Sequence, residues 1–218
     1  VGASRQPGTI GHELVAALVR NGFTGPVYPV NPSARSIGAV PAFPSIAALP
    51  EAPDLAVIAV PKAQVLPVAR ECVERGVGGL VVISAGFREV GPEGAALERE
   101  LTEFVRAAGV RMIGPNCMGV LNTHPDFRLN ATFAAGLPPV GRIGFVSQSG
   151  AMGLSVLDYA REYGIGISQF VSVGNKPDVS GNDLLLAWED DPDVEVILMY
   201  VESFGNPRKF LDIAGRIT

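Results

Sequence analysis

Short apolar runs alternate along the chain with segments in which apolar residues recur every three or four positions. Residues 55–60 and 80–83 are almost entirely apolar, as in parallel strands that are covered on both faces. Residues 111–113 form a further short run. Three segments have the spacing that predicts a helix with one buried face. Their apolar residues are Ile10, Leu14, Ala17 and Leu18 in the first, Val65, Ala69 and Cys72 in the second, and Leu97, Leu101, Phe104, Val105 and Ala108 in the third. Strands separated by helices of this length predict βαβ units in a parallel, doubly wound sheet.

A second set of the same elements follows a stretch with little periodicity. We predict strands at 143–146, 167–173 and 194–201 and helices from about 151 to 163, near 183–189 and from about 208. The sequence therefore predicts a Rossmann-like domain at 1–125, a connecting segment at 126–140 and a second parallel α/β domain at 141–218. Because no strand follows the last helix, we expect the second domain to be incomplete, and residues 1–2 to be the end of a strand that begins upstream.

Composition narrows the functional classes. The chain has 218 residues, of which 47% are hydrophobic and 18% charged, enough apolar material for a large core. No apolar run reaches the roughly 18–20 residues of a membrane span, and no signal peptide is recognisable, so we expect a cytoplasmic protein. A net charge of −5 without a basic cluster argues against a nucleic-acid partner. Two isolated cysteines and two isolated histidines predict no metal site.

The first glycine-rich turn, "VGASRQPGTIG" at 1–11, stands where a doubly wound sheet binds a phosphate group. It lacks the Gly-x-Gly-x-x-Gly fingerprint of dinucleotide-binding domains. The short run at 27–30 is predicted to be extended and to form the second strand. At the end of that strand an NAD site has an acid, whereas this chain has Asn31-Pro32 followed by Arg35. A basic residue there favours a phosphorylated ribose, so NADP and coenzyme A both qualify.

A second glycine-rich turn, "IGFVSQSGAMG" at 143–153, contains two serines. Neither Ser147 nor Ser149 lies in the Gly-x-Ser-x-Gly pattern of a hydrolase nucleophile. Cys117, which follows Asn116, is better interpreted as a buried small residue than as a nucleophile, because no histidine is placed to activate it.

Seven blocks of the sequence carry a family resemblance. They are "GASRQPGTIG", "YPVNP", "IAVP", "ISAGF", "GPNCMGV", "VSQSGA" and "GNKPDVSGND". In this order they resemble the CoA-binding and ligase domains of NDP-forming acyl-CoA synthetases, which are relatives of the succinyl-CoA ligase alpha subunit. The resemblance covers essentially the whole chain and implies a flavodoxin-like second domain. The ending is most similar to long bacterial versions that are joined to an ATP-grasp module and often to a lysine acetyltransferase domain.

The resemblance implies an activity and its site residues. In the family a carboxylic acid and CoA are joined at the expense of ATP, through an acyl-phosphate and a phosphohistidine. The serines would then be hydrogen-bond donors to a phosphoryl group, and Glu202 would orient the phosphohistidine as the catalytic residue. The implied phosphate-binding residues are Ser147, Gln148, Ser149 and Gly150, with Asn116 and Cys117 near the active site. The implied CoA-binding residues are Ser4, Arg5, Gln6, Pro7, Gly8, Asn31, Pro32, Arg35, Val60, Pro61, Ser84, Ala85, Gly86 and Phe87.

The chain also departs from the family pattern. Neither His12 nor His124 stands in the context of the phosphorylated histidine, which lies downstream in the family, so we expect the fragment alone to be inactive. ATP and Mg²⁺ would be bound by a module absent here, an ATP-grasp domain or a beta subunit, and we expect an oligomer. Ala85 replaces a glutamate of the succinyl-CoA ligases and favours an acetate-like acid. Two alternatives are a CoA- or nucleotide-sensing regulatory module of a protein lysine acetyltransferase and an NADP-dependent reductase, for which the second half offers no hydride-acceptor group.

Overall fold

The computed structural model describes residues 1–217. Its helices are α1 (Ile10–Arg20), α2 (Lys62–Arg75), α3 (Pro92–Ala107), α4 (Gly150–Glu162), α5 (Gly181–Trp188) and α6 (Pro207–Ala214). Its strands are β1 (Ser36–Ile37), β2 (Val40–Pro41), β3 (Leu55–Ile58), β4 (Gly79–Val82), β5 (Arg111–Ile113), β6 (Gly119–Asn122), β7 (Leu129–Thr132), β8 (Ile143–Ser147), β9 (Gln169–Ser172) and β10 (Val196–Tyr200). A single 3₁₀ turn at Arg88–Val90 precedes α3.

The first sheet has the strand order of a Rossmann domain. Strands β3, β4 and β5 are parallel neighbours in that order. Beyond β3, the Ala59 N–H donates to the Val1 carbonyl (3.0 Å), and the Gly2 N–H donates to the Val30 carbonyl (3.2 Å). Val30 in turn forms a parallel bridge with Phe43. Phe43, Val30, the segment 1–3, β3, β4 and β5 therefore follow the order 3-2-1-4-5-6, which confirms the predicted Rossmann-like fold.

Helices α2 and α3 cover the first sheet through the apolar stripes that the spacing predicts. On α2, Val65, Ala69 and Cys72 are fully buried, and on α3 so are Leu101 and Val105. These side chains pack into one core together with residues of β3 and β4. Fully burying a valine or leucine such as Val65, Leu101 or Val105 stabilises the fold by roughly 1.5–3 kcal/mol, which fixes both helices on the sheet.

The second sheet has the order β10-β8-β9-β6-β7. Strands β8, β9 and β10 are parallel, whereas β6 runs antiparallel to both β9 and β7. The order β9-β8-β10 corresponds to the positions 2-1-3 of a flavodoxin-like sheet, so this part of the predicted fold class is confirmed as well. The predicted elements of this domain lie within about two residues of the observed ones.

Strands β6 and β7 are the main difference from the sequence-based expectation. Strand β7 lies inside the predicted connecting segment at 126–140, and β6 pairs with the second sheet although it precedes that segment. The pattern hid β7 because two of its buried residues are polar. Asn130 and Thr132 are fully buried, and the Thr132 hydroxyl donates to Asn130 Oδ1 (2.6 Å).

The two sheets are joined through a buried carboxylate. Asp178, in the loop before α5, is 3% exposed and accepts hydrogen bonds from Arg106 Nε (3.0 Å), Arg111 Nε (3.1 Å) and the Met112 N–H (2.8 Å). The arginines and Met112 belong to the first domain, so this contact fixes the 174–180 loop beside β5 and α3.

None of the helices within residues 1–217 combines the length and the apolar character that a membrane crossing requires.

Candidate functional site

The loop that follows the segment 1–3 leads directly into α1. Within it, Ser4 Oγ accepts a hydrogen bond from the Gln6 N–H (3.1 Å), and the Thr9 hydroxyl donates to the Gln6 carbonyl (2.7 Å). Gly8 has a φ of +79°, which favours glycine, and a Cβ there would contact nothing. The loop thus holds itself in place, while the side chains of Arg5, Gln6 and Pro7 are exposed.

The start of α1 presents free N–H groups to this loop. Thr9 is the N-cap residue, but its side chain makes no capping hydrogen bond. Within the described residues, the Ile10 and Gly11 N–H groups donate to no acceptor, whereas the Gly8 N–H donates to Glu13 Oε1 (3.0 Å). Free N–H groups at a helix N-terminus favour an anion.

Asn31 organises the turn that follows Val30, which is the second position of the Rossmann strand order. Its side-chain nitrogen donates to the Ala3 carbonyl (2.7 Å), and its Oδ1 accepts from the N–H groups of Ser33 (2.9 Å) and Ala34 (2.8 Å). Asn31 therefore ties the segment that ends at Val30 to the segment 1–3 and builds the turn. Pro32 and Arg35, the other predicted CoA-binding residues here, are exposed.

The loops after β3 and β4 are joined by one serine. The Ser84 hydroxyl donates to the Val60 carbonyl (2.6 Å) and accepts from the Val60 N–H (3.1 Å). Gly86 has a φ of +102°, and its N–H donates to Glu89 Oε1 (2.5 Å). Phe87 is buried, which anchors the loop, while Pro61 and Ala85 are exposed. These loops lie at the carboxyl edge of the sheet beside the segment 1–3, where the strand order reverses and doubly wound sheets bind ligands.

The turn between β8 and α4 is short and internally bonded. The buried Ser147 hydroxyl donates to the Ser149 carbonyl (2.6 Å), and Ser149 Oγ caps the helix by accepting from the Met152 N–H (3.3 Å). The N–H groups of Gly150 and Ala151 donate to no acceptor within the described residues. A Cβ on Gly150 would meet only Met118 Cβ, at 3.7 Å. The helix start is therefore open, and its free donors come from the backbone.

Gln148 and Glu202 come together at this helix start, as expected if both serve one site. Gln148 Oε1 accepts from Lys176 Nζ (2.8 Å) and from the N–H groups of Glu202 (2.9 Å) and Ser203 (3.4 Å). Gln148 Nε2 faces Glu202 Oε2 at 3.4 Å. Glu202 is exposed and follows β10, which pairs with β8. A carboxylate and a helix N-terminus thus border the same space.

Asn116 and Cys117 differ in their surroundings. Burial raises the pKa of the Cys117 thiol to about 12, and Sγ donates to the Val82 carbonyl (3.3 Å). A protonated, buried thiol is a packing group, as the sequence indicates. Asn116 is exposed, its N–H donates to the Ser84 carbonyl (2.9 Å), and its Nδ2 lies 3.3 Å from Asn175 Oδ1. It therefore stands at the junction of the two loop systems.

Sequence reasoning missed the polar network that connects these loops. Asn175 Nδ2 donates to Glu89 Oε2 and to Glu98 Oε2, both at 2.6 Å, and Arg88 donates to the Asn175 carbonyl. Asn175 and Lys176 lie in the "GNKPD" block, which is one of the blocks of the family resemblance. The sequence alone assigns no role to its residues. Glu98 offered a signal, because it lies on the buried stripe of α3, where a charged residue needs a partner.

Coenzyme A fits the residues around the first loop. The free N–H groups of α1 suit its phosphates, the glycine-containing turns leave the backbone accessible, and the exposed Arg5 and Arg35 are two basic residues near this loop.

Family models match both halves of the chain. That of the CoA binding domain matches residues 1–123, and that of the succinyl-CoA ligase like flavodoxin domain matches residues 140–218. The acetate–CoA ligase [ADP-forming] I of Archaeoglobus fulgidus is 46% identical over 217 residues, which are 100% of this chain and 31% of that protein. The acetate–CoA ligase [ADP-forming] II subunit alpha of Pyrococcus furiosus is 40% identical over 218 residues, 100% of this chain and 47% of that subunit.

A solved structure agrees with these relatives. The dinucleotide forming acetyl-coenzyme A synthetase 1 of Ca. Korarchaeum cryptofilum, in complex with phosphate and ADP, is 42% identical with a TM-score of 0.93, covering 99% of this chain and 46% of that one. The chain thus spans between about a third and a half of the proteins it matches. With one domain model matched at 1–123 and the other at 140–218, the chain belongs to the CoA-binding domain family, carries the succinyl-CoA-ligase-like flavodoxin domain as its second part, and is a relative of the ADP-forming acetate–CoA ligases.

Proposed function

We propose that the chain is the CoA-binding part of an ADP-forming acid–CoA ligase, which converts a carboxylic acid, CoA and ATP into acyl-CoA, ADP and phosphate. The observation that carries the proposal is the presence of two open helix N-termini, those of α1 and α4, with Glu202 and Gln148 bonded to each other beside the second. An NADP-dependent reductase needs only the first. A ligase that moves a phosphoryl group needs both.

The first site binds and orients CoA. The N–H groups of Ile10 and Gly11 receive a phosphate, and the exposed Arg5 adds positive charge at the loop. The loops held together by Ser84 and Val60 direct the thiol end towards Asn116 and the second domain. In this arrangement Asn31 acts on CoA only through the turn that it builds.

The second site receives a phosphoryl group at the N-terminus of α4. The Gly150 and Ala151 N–H groups donate to its oxygens, and the helix dipole favours its negative charge. Ser149 holds the helix start through its cap, and Ser147 holds the turn by bonding the Ser149 carbonyl. Glu202 accepts a hydrogen bond from the imidazole of a histidine outside this chain, which fixes the tautomer and leaves the other nitrogen to carry phosphate.

Partners and substrates of the whole enzyme follow from the same proposal. ATP and Mg²⁺ are bound by an ATP-grasp domain or a beta subunit, in keeping with the alpha-subunit designation of the Pyrococcus furiosus relatives. The exposed Ala85 and the acetate-specific names of several relatives favour a small, acetate-like acid. We infer a cytoplasmic, oligomeric enzyme. The acetyltransferase-linked sensing module finds no support among the relatives named above.

The test is product analysis with the full-length protein. With ATP, Mg²⁺, acetate and CoA it is expected to form acetyl-CoA together with ADP and phosphate. Residues 1–218 alone are expected to bind CoA in a calorimetric titration but to form no acyl-CoA and to take up no label from ATP. Formation of AMP and pyrophosphate by the full-length protein, or acid-labile phosphate on His124 of the fragment, contradicts the proposal.

A further inference from the structure

Lys176 lies between the two segments that form the proposed phosphoryl site. Its ammonium group donates to Gln148 Oε1 (2.8 Å) in the turn before α4 and to the Ser203 carbonyl in the segment after β10. The side chain is half-buried. Burial and the nearby charge of Arg88 lower the pKa of Lys176, while the charge of Glu202 raises it.

The backbone at Lys176 is unfavourable for a lysine. Its φ is +48°, in the left-handed region that glycine and asparagine adopt more readily. The adjacent Asn175 is buried and held by Glu89 and Glu98, so the peptide is fixed on the side of the first domain. A rigid backbone thus directs a long cationic side chain towards Gln148, although the backbone itself would favour a different residue.

The ammonium group sets the orientation of the Gln148 carboxamide. The carboxamide oxygen accepts three donors, the Lys176 ammonium and the N–H groups of Glu202 and Ser203. Its NH₂ group must therefore point to the Glu202 carboxylate, 3.4 Å away. A charged donor makes a stronger hydrogen bond than a neutral one, so Lys176 contributes most to this arrangement.

We propose that Lys176 is a positioning residue of the phosphoryl-transfer site, which holds Gln148 and the 202–203 segment in their working geometry. The inference rests on the proposed function and adds a residue to its site. Lys176 acts through Gln148 and Glu202. The reacting phosphoryl group is held by the backbone N–H groups of α4.

The first test measures the segment itself and does not depend on activity. Hydrogen–deuterium exchange of the full-length protein reports the amides of Glu202 and Ser203. In Lys176→Met they are expected to exchange about tenfold faster, because Gln148 is released and its oxygen no longer protects them. The matched control is Lys209→Met, which removes the Lys209–Asp183 pair (3.0 Å) in the same domain and is expected to leave these amides unchanged. Unchanged exchange in Lys176→Met overturns the proposal.

The second test is a double-mutant cycle on phosphoryl transfer in the full-length enzyme. Lys176→Met is expected to lower kcat about tenfold to hundredfold with the KM for CoA unchanged, the loss that a small misplacement of a catalytic group produces. In a Gln148→Ala background the same substitution is expected to cost little more, because both variants remove one arrangement. Fully additive losses overturn the positioning role. A wild-type enzyme without ATP-dependent turnover refutes the proposed function, while the exchange measurement still decides the role of Lys176.

Discussion

The two loops that precede α1 and α4 differ in length, exposure and capping. Each follows a parallel strand, and at each helix start two backbone N–H groups find no acceptor among residues 1–217. The first loop, at 4–9, is long and largely exposed, and its N-cap Thr9 does not cap the helix. The second, at 148–149, is short, and Ser149 caps its helix. A long open loop offers surface to a large ligand such as CoA, whereas a short capped turn fixes a few donors for a small anion.

The glycines of the two helix starts show the difference most clearly. A Cβ on Gly11 would lie 2.0 Å from the Gly2 carbonyl oxygen, so α1 can pack against the segment 1–3 only with glycine at that position. A Cβ on Gly150 would only touch Met118. The first glycine is therefore required by the fold, and the second leaves space at the front of the helix.

Exchanging these glycines for alanine is the most severe test of the comparison. Gly11→Ala is expected to lower the free energy of unfolding by about 3 kcal/mol, because a backbone atom cannot move aside as a side chain can. Gly150→Ala, the matched control, is expected to change it by less than about 1 kcal/mol, because its Cβ meets only Met118 and alanine favours a helix. Urea denaturation of both variants measures the difference. Equal stabilities would show that the two helix starts are constrained alike.

Removing the carboxylate that joins the domains tests whether the two loops depend on each other. Asp178→Asn is expected to lower the free energy of unfolding by about 2 kcal/mol near pH 7, since it weakens charged hydrogen bonds to both arginines. CoA affinity of the first loop should change little, while phosphoryl turnover falls with the altered 174–180 loop. A parallel loss of CoA affinity would mean that the loops form one site.

The same variant has a pH signature. Burial alone would raise the pKa of Asp178, but the Met112 N–H and the two guanidinium groups lower it below the ordinary value. A carboxyl group with a lowered pKa in the folded state stabilises the fold above its unfolded pKa of about 3.9, and this stabilisation is lost as the pH falls through the folded value. The stability difference between wild type and Asp178→Asn is thus expected to shrink below about pH 4. A difference that persists in acid would contradict this assignment.

A smaller effect is expected from the cap that distinguishes the second loop. Ser149→Ala should lower the free energy of unfolding by about 1 kcal/mol, the usual cost of losing a serine cap. Turnover of phosphohistidine in the full-length protein should fall about tenfold, with CoA affinity retained, because the free N–H groups lose their fixed direction. Ser155→Ala, which removes a serine hydroxyl that bonds within the same helix, is the control for both measurements. Equal turnover in the two variants would show that the Ser149 cap has no role in phosphoryl transfer.

The sequence predicts the helices and strands more directly than the contacts between side chains. The stripe of Val65, Ala69 and Cys72 and the apolar strands are burial patterns, and burial is what hydrophobic periodicity records. The hydrophobic pattern did not predict strand β7, because two of its buried residues are polar. Asn130 and Thr132 form a hydrogen bond to each other inside the core, which no local pattern shows.

The contacts of the site come from separate parts of the chain. The resemblance selected Gln148 and Glu202. The link that Lys176 makes between the segments around them depends on its backbone geometry and on the pairing of β8 with β10, which only the structure shows. Asn31 stays a predicted CoA-binding residue, and the structure adds that its side chain bonds to Ala3, Ser33 and Ala34 and so shapes the turn. Such roles depend on where a side chain finds partners, and the sequence carries that information only indirectly.

Arg35 provides the smallest and most specific test of the first loop as a CoA site. The side chain is exposed, so a role in stability is not expected, and Arg35→Ala should leave the free energy of unfolding within about 0.5 kcal/mol of wild type. If Arg35 contacts the phosphate on the ribose of CoA, the variant loses affinity for CoA but keeps its affinity for dephospho-CoA. Because an exposed ion pair contributes up to about 1 kcal/mol, the ratio of the two affinities should fall by about fivefold or less, and more at low salt. Calorimetric titration of both ligands at two salt concentrations measures this ratio, with Arg99→Ala, an exposed arginine on α3, as the control. A ratio that stays at the wild-type value in Arg35→Ala would make Arg35 a solvated surface residue, and the preference for a phosphorylated ribose would then have to come from the loop that contains Arg5.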